Sequence, residues 1–319
     1  MPMRKIILMC LLLVSIGLLL AGCGIEPSAP RAAENGTRTI RIAYLPITHA
    51  LPLFTAKELE TSDGPVRIEL IKYGSWPELM DALNTGKVDG ASVLVELAVK
   101  AREQGIPLQA AALGHKDGNA IIVGNDIHRV EDLRGKIFAI PHKQSSHKLL
   151  LDALLAEHGM TEQDLTVVEM SPPEMPAGLA QGQIAGYCVA EPFGAKSVVL
   201  GTGSVLSDTR ELWPDSVCCA LMFNGDFLKG NHELAREMVQ EYKQAGIYLT
   251  QHPEKQKEIA LKYLKAKGRI LDLSLQWISY ADLTLTKPAY DELIRRMQEE
   301  SLLHTAPSYE EFVDPSLLE

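Results

Sequence analysis

Residues 83–90 read LNTGKVDG, and residues 179–186 read LAQGQIAG, 96 positions further along the chain. Each octapeptide follows a segment that is typical of a helix start. Residues 75–79 read SWPEL and residues 171–175, at the same offset, read SPPEM. Because both pairs occur in one order at one offset, this internal repeat predicts two α/β units of similar structure.

A third match lies upstream, where residues 41–46 (RIAYLP) are echoed by residues 136–141 (KIFAIP) at an offset of 95. In each copy a strand ends in proline, a short polar loop follows and a helix begins. The first copy predicts strands at 39–45, 66–71 and 91–94, and helices at 51–59 and 75–85. This βαβ alternation predicts an α/β fold in which each unit holds a mostly parallel sheet flanked by helices.

Two similar units imply a cleft between them. In open α/β sheets, ligands bind beyond the carboxyl ends of strands, where helices begin, and the loops at 46–50 and 141–146 occupy that position. After residue 224 we expect long helices that return to the first unit and cover it, at 233–250, 253–266 and 288–300. We expect residues 312–318 to form a docked tail.

The composition is that of a large globular protein. Of 319 residues, 46% are hydrophobic and 23% are charged, which excludes a fully disordered chain. The 31 basic and 41 acidic residues give a net charge of −10, so wholesale binding to nucleic acid is disfavoured. We therefore expect a small-molecule ligand and no nucleic-acid partner.

The first residues have the pattern of an export signal. Arg4 and Lys5 precede an apolar run at residues 6–20, which is too short for a comfortable membrane span. The run ends in Leu-Ala-Gly-Cys, which resembles the lipobox of bacterial lipoproteins and predicts acylation of Cys23. An ordinary signal peptide with a chance cysteine is the alternative. We expect cleavage after residue 22, a tether at 23–38, and a lipid anchor on the extracytoplasmic face of the membrane.

Three cysteines would remain besides Cys23 after this cleavage: Cys188, Cys218 and Cys219. An odd number does not form a complete disulfide framework, and adjacent cysteines seldom bridge each other. We expect buried free thiols, with a bond from Cys188 to one of the adjacent pair as the alternative.

Several motifs together carry a family resemblance. The motifs are IAYLPITHALPLFTAK (42–57), Ser75-Trp76, GNAIIV (118–123), VEDLRGK (130–136), IPHKQSSHKLLL (140–151), GYCVAEPF (186–193) and Leu212-Trp213-Pro214. With these motifs the chain resembles the solute-binding proteins of ABC importers for nitrate, bicarbonate and sulfonates, and most closely the nitrate and bicarbonate branch.

The resemblance implies the type 2 periplasmic-binding-protein fold, with two lobes joined by two crossing strands. The crossings would fall near 110–123 and 206–222, giving lobe 1 at 39–118 and 213–319 and lobe 2 at 119–212. It implies a monomeric binding protein that captures a small anion or a small organic nitrogen or sulfur compound. The partners would be an ABC permease and ATPase.

The start of the helix after residue 145 is the first expected contact for the ligand. Helix N-termini present free N–H groups and partial positive charge, so they hold anions. Ser145 and Ser146 add hydroxyl donors, and His147 matches a histidine of the nitrate-binding relatives. We expect His147 to donate to an oxyanion that favours its protonation. A solvent-exposed first-turn residue is the alternative.

Five further residues are expected at the cleft by their match to the family motifs or by their loops. Trp76 would line the pocket, with core packing as the alternative, and Asn119 would donate to the ligand. Thr48 and His49 lie in the first strand-to-helix loop, where turn chemistry is the alternative. Glu191 would accept from a protonated ligand or orient a donor, or else cap a helix.

One position departs from the nitrate-binding relatives. They have a lysine shortly after the Trp-Pro step, where this chain has Cys219. A desolvated anion without a fixed cation is costly, so we expect a ligand other than nitrate, such as a sulfonate, an amine or a thiamine pyrimidine. Positive charge would have to come from His49, His115, His142, His147 or Lys143.

Other chemistries lack a sequence signature. The chain contains no HExxH, CxxC, P-loop, GxGxxG or GxSxG motif, so we expect no metal ion, no cofactor and no enzymatic activity. Cys218 or Cys219 with His147 would be the candidate nucleophile and base for an enzyme related to thiamine-pyrimidine synthesis. A ligand-binding sensor of a signalling system is the other alternative.

Overall fold

Two five-stranded sheets, each flanked by helices, organise the chain. The computed structural model describes residues 38–214 and 216–317. The predicted signal peptide, Cys23 and the tether up to residue 37 lie outside the described residues. The strands are β1 Arg38–Tyr44, β2 Val66–Lys72, β3 Gly90–Leu94, β4 Leu108–Leu113, β5 Lys116–Asp117, β6 Asn119–Val123, β7 Ile137–Ile140, β8 Thr166–Glu169, β9 Gly186–Ala190, β10 Ser204–Ser207, β11 Cys219–Asn224 and β12 Ile278–Ser279.

The helices cover the faces of these sheets and form most of the C-terminal part. They are α1 Leu51–Leu59, α2 Trp76–Asn84, α3 Val95–Glu103, α4 Ser146–Glu157, α5 Met175–Ala180, α6 Phe193–Val199, α7 Thr209–Leu212, α8 Gly225–Gln251, α9 Pro253–Tyr263, α10 Arg269–Gln276, α11 Lys287–Glu299 and α12 Tyr309–Phe312. Among the described residues, no helix is both long enough and apolar enough to cross a membrane.

The two sheets have the same topology, as the sequence repeat predicts. The first sheet has the strand order β2-β1-β3-β11-β4, and the second has the order β8-β7-β9-β6-β10. The repeated segments therefore occupy equivalent positions, because β1, β2 and β3 correspond to β7, β8 and β9. In each sheet the fourth strand follows a segment that crosses from the other sheet. The crossings run between β4 and β6 and between β10 and β11.

The sheets are mixed but mostly parallel, as expected, because four of the five strands in each run in the same direction and one is reversed. β1 runs parallel to β2 and β3, but β11 runs antiparallel to both β3 and β4. In the second sheet β6 is likewise antiparallel to β9 and β10. The physical reason is the exchange of strands, because a strand that enters from the other sheet runs against its neighbours.

The two glycines of the repeated octapeptide have separate structural roles. Gly86 and Gly182 adopt φ values of +69° and +68° just after α2 and α5, where the left-handed conformation ends a helix. Gly90 and Gly186 begin the central strands. A Cβ atom on Gly90 would lie 2.7 Å from the Met222 carbonyl oxygen, and one on Gly186 would lie 2.8 Å from the Phe138 ring. Glycine therefore recurs at positions 90 and 186 because a side chain would not fit at either one.

The C-terminal part packs against helices that flank the first sheet and against helices that flank the second. The predicted long helices are present, with α8 packed against α1 and with non-helical backbone at Asn231. The short helix α10, which the sequence pattern did not indicate, packs against α6 beside the second sheet. The C-terminal part therefore contacts the second unit through α10, in addition to the first unit. The tail docks as expected, because Val313 bridges Ala110 of β4 and Phe312 is buried.

Candidate metal centre

Four buried side chains converge where the crossing segments leave the first sheet. His49 lies in the turn that follows β1, His115 follows β4, Cys218 precedes β11 and Cys219 begins it. One donor atom from each of the four lies within 4.8 Å of the others. Two imidazoles and two thiols are a common ligand set for a transition-metal ion, so this cluster could hold one.

The separations of three of the four donor atoms match a tetrahedral site. The two Sγ atoms are 3.8 Å apart, and His49 Nδ1 lies 3.6 Å from Cys218 Sγ and 3.5 Å from Cys219 Sγ. With Zn–S bonds of about 2.3 Å and Zn–N bonds of about 2.0 Å, a tetrahedral zinc site separates two sulfurs by about 3.8 Å and a sulfur from a nitrogen by about 3.5 Å. The residues present therefore fit a zinc-sized ion.

Backbone carbonyls orient both imidazole rings. His49 Nε2 lies 2.8 Å from the Gly118 oxygen, and His115 Nδ1 lies 2.7 Å from the Asp117 oxygen. A carbonyl can only accept, so each of these ring nitrogens carries the proton. The other nitrogens, His49 Nδ1 and His115 Nε2, then hold a free lone pair, and His115 Nε2 has no hydrogen-bond partner in the described structure. Such outer hydrogen bonds are typical of metal-ligating histidines.

The two cysteines of the cluster differ in their affinity for a proton. Burial alone would raise the pKa of Cys218, but the Cys219 thiol and the nearby rings of His49 and His115 outweigh it and hold that pKa well below its usual value. Burial and the neighbouring Cys218 sulfur raise the pKa of Cys219 well above the usual value. Cys218 is therefore the one of the pair that loses its proton more readily. Cys218, Cys219 and Cys188 are free and buried, as expected.

The cluster carries less positive charge than the sequence led us to expect. Burial lowers the pKa of both His115 and His147 to about 4, so both are neutral at pH 7. Burial also lowers the pKa of His142, and Lys143 is exposed. In the unliganded protein His115 and His147 therefore carry no positive charge, because desolvation favours the uncharged imidazole.

The N-terminus of α4 lies beside the cluster. His147 is fully buried, so the solvent-exposed alternative is wrong, and its pKa responds to Cys218, His49 and His115. Neither ring nitrogen of His147 nor Ser146 Oγ has a hydrogen-bond partner among residues 38–214 and 216–317. Ser145 instead caps the helix, since its hydroxyl accepts from Lys148 N–H and donates to the His142 oxygen.

Of the other predicted ligand contacts, some lie beside the cluster and others do not. Asn119 Oδ1 lies 3.8 Å from Cys218 Sγ, which places this side chain against the cluster. Trp76 is buried in the hydrophobic core. Glu191 caps α6 through two 3.1 Å bonds from Ala195 N–H, and burial raises its pKa to about 8. Thr48 Oγ1 donates to the Glu191 backbone oxygen at 3.0 Å.

Glu96 is a site residue that the sequence reasoning missed. Val95 N–H donates to the Cys218 oxygen at 2.8 Å, which holds the start of α3 beside the cysteine pair. Glu96 is fully buried, and neither of its carboxylate oxygens has a hydrogen-bond partner in the described residues. Burial, followed by the negative charge at Cys218, raises its pKa well above the usual value. Its sequence context, an acidic residue in a first helical turn, carries no distinguishing signal.

Comparisons with known proteins identify relatives of this fold. A family model described as the NMT1-like family matches residues 33–263. A solved structure described as the ligand binding component of an ABC-type import system from Staphylococcus aureus, with zinc bound, is 38% identical to this chain. It has a TM-score of 0.83, and the match covers 88% of this chain and 97% of that one.

Two further relatives extend the comparison. The periplasmic nitrate-binding protein NrtA of Synechocystis PCC 6803 is 20% identical, with a TM-score of 0.77 over 90% of this chain and 88% of that one. The bicarbonate transport ATP-binding protein CmpC of Synechocystis is 26% identical over 76% of this chain, and the match spans only 39% of that protein's length. The expected two-lobed periplasmic-binding-protein fold is confirmed.

Proposed function

The chain belongs to the NMT1-like family, and on this premise we propose that it is the extracytoplasmic solute-binding component of an ABC importer that captures a divalent transition-metal ion of the zinc class. The observation that carries the proposal is the set of four buried donors on His49, His115, Cys218 and Cys219. The zinc in the Staphylococcus aureus relative supports it independently.

The charge of the ligand set favours a soft cation. Two thiolates balance the charge of a divalent ion, and two neutral imidazoles complete four ligands without adding charge. Sulfur and imidazole donors favour zinc and its transition-metal neighbours, whereas calcium and magnesium prefer oxygen ligands. An anion at the same place would be buried beside two cysteine sulfurs without a fixed cation to balance its charge, which is costly.

We also propose that the two sheets are the cores of two lobes. Lobe 1 comprises residues 39–118 and 213–319, lobe 2 comprises residues 119–212, and the crossing segments form the hinge. The four donors then belong to lobe 1 or to the hinge, while lobe 2 covers them with the N-terminus of α4. This arrangement supports capture between lobes followed by delivery to a permease.

The cellular setting follows from the same proposal. The lipobox-like sequence at residues 20–23 supports export, cleavage and lipid anchoring at Cys23. The binding protein would work as a monomer at the outer face of the membrane, with an ABC permease and ATPase as its partners. It would present bound ligand and perform no chemistry on it.

A competition titration against a chromophoric zinc chelator tests the proposal. The protein should bind one zinc ion, and the double change Cys218→Ser and Cys219→Ser should weaken binding at least about 100-fold. Cys188→Ser is the matched control, because Cys188 is also a free, buried thiol but is not among the four donors. It should bind zinc as the unmodified protein does.

A thermal-shift series separates metal capture from the alternatives. At about 100 times Kd a ligand stabilises the folded state by roughly 2.7 kcal/mol, so zinc should raise Tm clearly. If nitrate, bicarbonate or an alkanesulfonate raises Tm while zinc does not, the metal assignment is wrong. Neutral donors near α4, such as Ser146 and Asn119, would then be the groups that hold the anion.

A further inference from the structure

Thr48 and His49 join the metal cluster to lobe 2. Both residues are fully buried in the turn that follows β1. The Thr48 N–H and hydroxyl both donate to the Glu191 backbone oxygen, at 2.9 Å and 3.0 Å. Glu191 directly follows β9 of the second sheet. Thr48 therefore holds lobe 2 through two hydrogen bonds to one carbonyl group.

His49 holds the hinge at the adjoining position. Its Nε2–H donates to the Gly118 oxygen at 2.8 Å, and that same oxygen accepts the Glu191 N–H at 3.0 Å. Gly118 immediately precedes β6, the first strand of lobe 2. The backbone of Glu191 is thus bound on both sides, by Thr48 at its carbonyl and by Gly118 at its N–H. Thr48 and His49, which are consecutive in lobe 1, therefore bind Glu191 of lobe 2 and Gly118 of the hinge, and these two residues are hydrogen-bonded to each other.

The ring of His49 connects this group to the metal site. Its Nδ1 faces the two sulfurs, and its Nε2 faces Gly118. A metal ion at Nδ1 excludes the tautomer that carries its proton there, so the proton must be on Nε2, where Gly118 accepts it. Coordination also strengthens the hold on the plane of the ring, which without metal is stacked on His115 and lies 3.5 and 3.6 Å from the two sulfurs.

We propose that metal ligation by His49 sets a latch between the lobes, in which His49 holds the hinge at Gly118, Gly118 accepts the Glu191 N–H, and Thr48 holds the Glu191 carbonyl group of lobe 2. This inference rests on the proposed capture of a metal ion and adds how capture is coupled to closure. Thr48 is a positioning residue in this latch, because it touches no metal donor. Since the latch forms only in the closed protein, weakening it lowers the closed fraction and hence the apparent metal affinity.

The variant Thr48→Val tests the latch without removing a metal ligand. It removes the hydroxyl donor and keeps the backbone N–H. We expect zinc affinity to fall about fivefold, the loss that one buried hydrogen bond of about 1 kcal/mol produces. Small-angle X-ray scattering should show that zinc reduces the radius of gyration of the unmodified protein, and that this reduction is smaller in the variant.

The matched control is Thr55→Val. Thr55 is equally buried, and its hydroxyl donates to the Leu51 oxygen at 2.8 Å within α1, so this bond does not cross between lobes. Thr55→Val should leave zinc affinity and the zinc-dependent compaction unchanged. Thr48→Ser keeps the donor and should restore both properties, which distinguishes a lost hydrogen bond from misfolding.

The outcomes separate this inference from the proposed function. If the unmodified protein binds no zinc, the proposed function fails. If it binds zinc and Thr48→Val matches Thr55→Val in affinity and compaction, the latch is wrong while the proposed function stands. The latch is also overturned if Thr48→Ser behaves as Thr48→Val. Ring-nitrogen NMR should additionally show that the His49 Nε2–H exchanges more slowly in the zinc-loaded protein than in the metal-free protein.

Discussion

The two repeats each place a buried histidine beyond their first strand, yet the two side chains have different surroundings. His49 follows β1, with Nε2–H bonded to Gly118 and Nδ1 facing two sulfurs. His147 follows β7 in the first turn of α4, and both of its ring nitrogens lack a hydrogen-bond partner in the described residues. Buried histidines in corresponding loops of the repeat therefore do not have the same chemistry, because the neighbours supplied by other strands differ.

Replacing each histidine with alanine is the most direct way to break this comparison. Four-ligand zinc sites bind with about 10–16 kcal/mol, so losing one ligand costs about 3–4 kcal/mol. His49→Ala should therefore weaken zinc binding about 100- to 1000-fold, whereas His147→Ala should change it by less than about fivefold. Chelator competition measures both, and equal losses for the two variants would show that His147 is also a ligand.

The stability of the metal-free protein at low pH tests the surroundings of His147. Its pKa is about 4 in the folded protein against 6.5 for the free side chain, so the folded state favours the neutral ring. The stability that this depressed pKa provides is present above pH 6.5 and is lost as pH falls through 4.

His147→Gln should remove that pH dependence. Between pH 7 and pH 4 its free energy of unfolding should fall less than that of the unmodified protein, by at most about 3 kcal/mol. Urea unfolding at several pH values, with a chelator present, measures this. The exposed residue His128 provides the control, since His128→Gln should leave the slope unchanged. If His147→Gln does not change how the free energy of unfolding varies with pH, the His147 ring is more exposed to solvent than the structure indicates.

The glycines at the start of the central strands test whether the repeats are equivalent in packing. Gly90→Ala and Gly186→Ala should each lower the free energy of unfolding by about 2 kcal/mol, because the added methyl group lies under 3 Å from Met222 or Phe138. Gly230→Ala in α8, where no atom lies within 4 Å of the added group, should be neutral or slightly stabilising. Denaturant titration gives all three values, and unequal effects at 90 and 186 would show that the repeats pack differently.

Much of the fold is predictable from the sequence because it depends on local patterns. The repeat places the strands near their observed ends, and the family resemblance implies both crossings. The direction of the two exchanged strands cannot be predicted from local patterns. β11 and β6 read as ordinary buried strands, and only the exchange between sheets makes them antiparallel. Helix α10 was missed because it has only eight residues and its packing against α6 is a tertiary contact.

The site was predictable in its parts and not as a whole. Thr48, His49, Asn119 and Cys219 were expected near the ligand, and each lies at or beside the cluster. The sequence indicated His115 only as a source of positive charge and Cys218 only as a candidate nucleophile. The donors come from three separate segments, so a search for metal motifs, which depends on local spacing, does not detect them. Burial determines that His115 and His147 are neutral, and sequence spacing does not report burial.

The position of β11 also has a consequence for how the protein is made. This strand fills the gap between β3 and β4, and its first residue is Cys219. The first sheet cannot close until the chain has been synthesised past residue 224, because its fourth strand comes from beyond the whole second sheet. Completion of the sheet and assembly of the four donors are therefore one event. A growing chain therefore lacks the assembled set of four donors until the first 224 of its 319 residues have been synthesised.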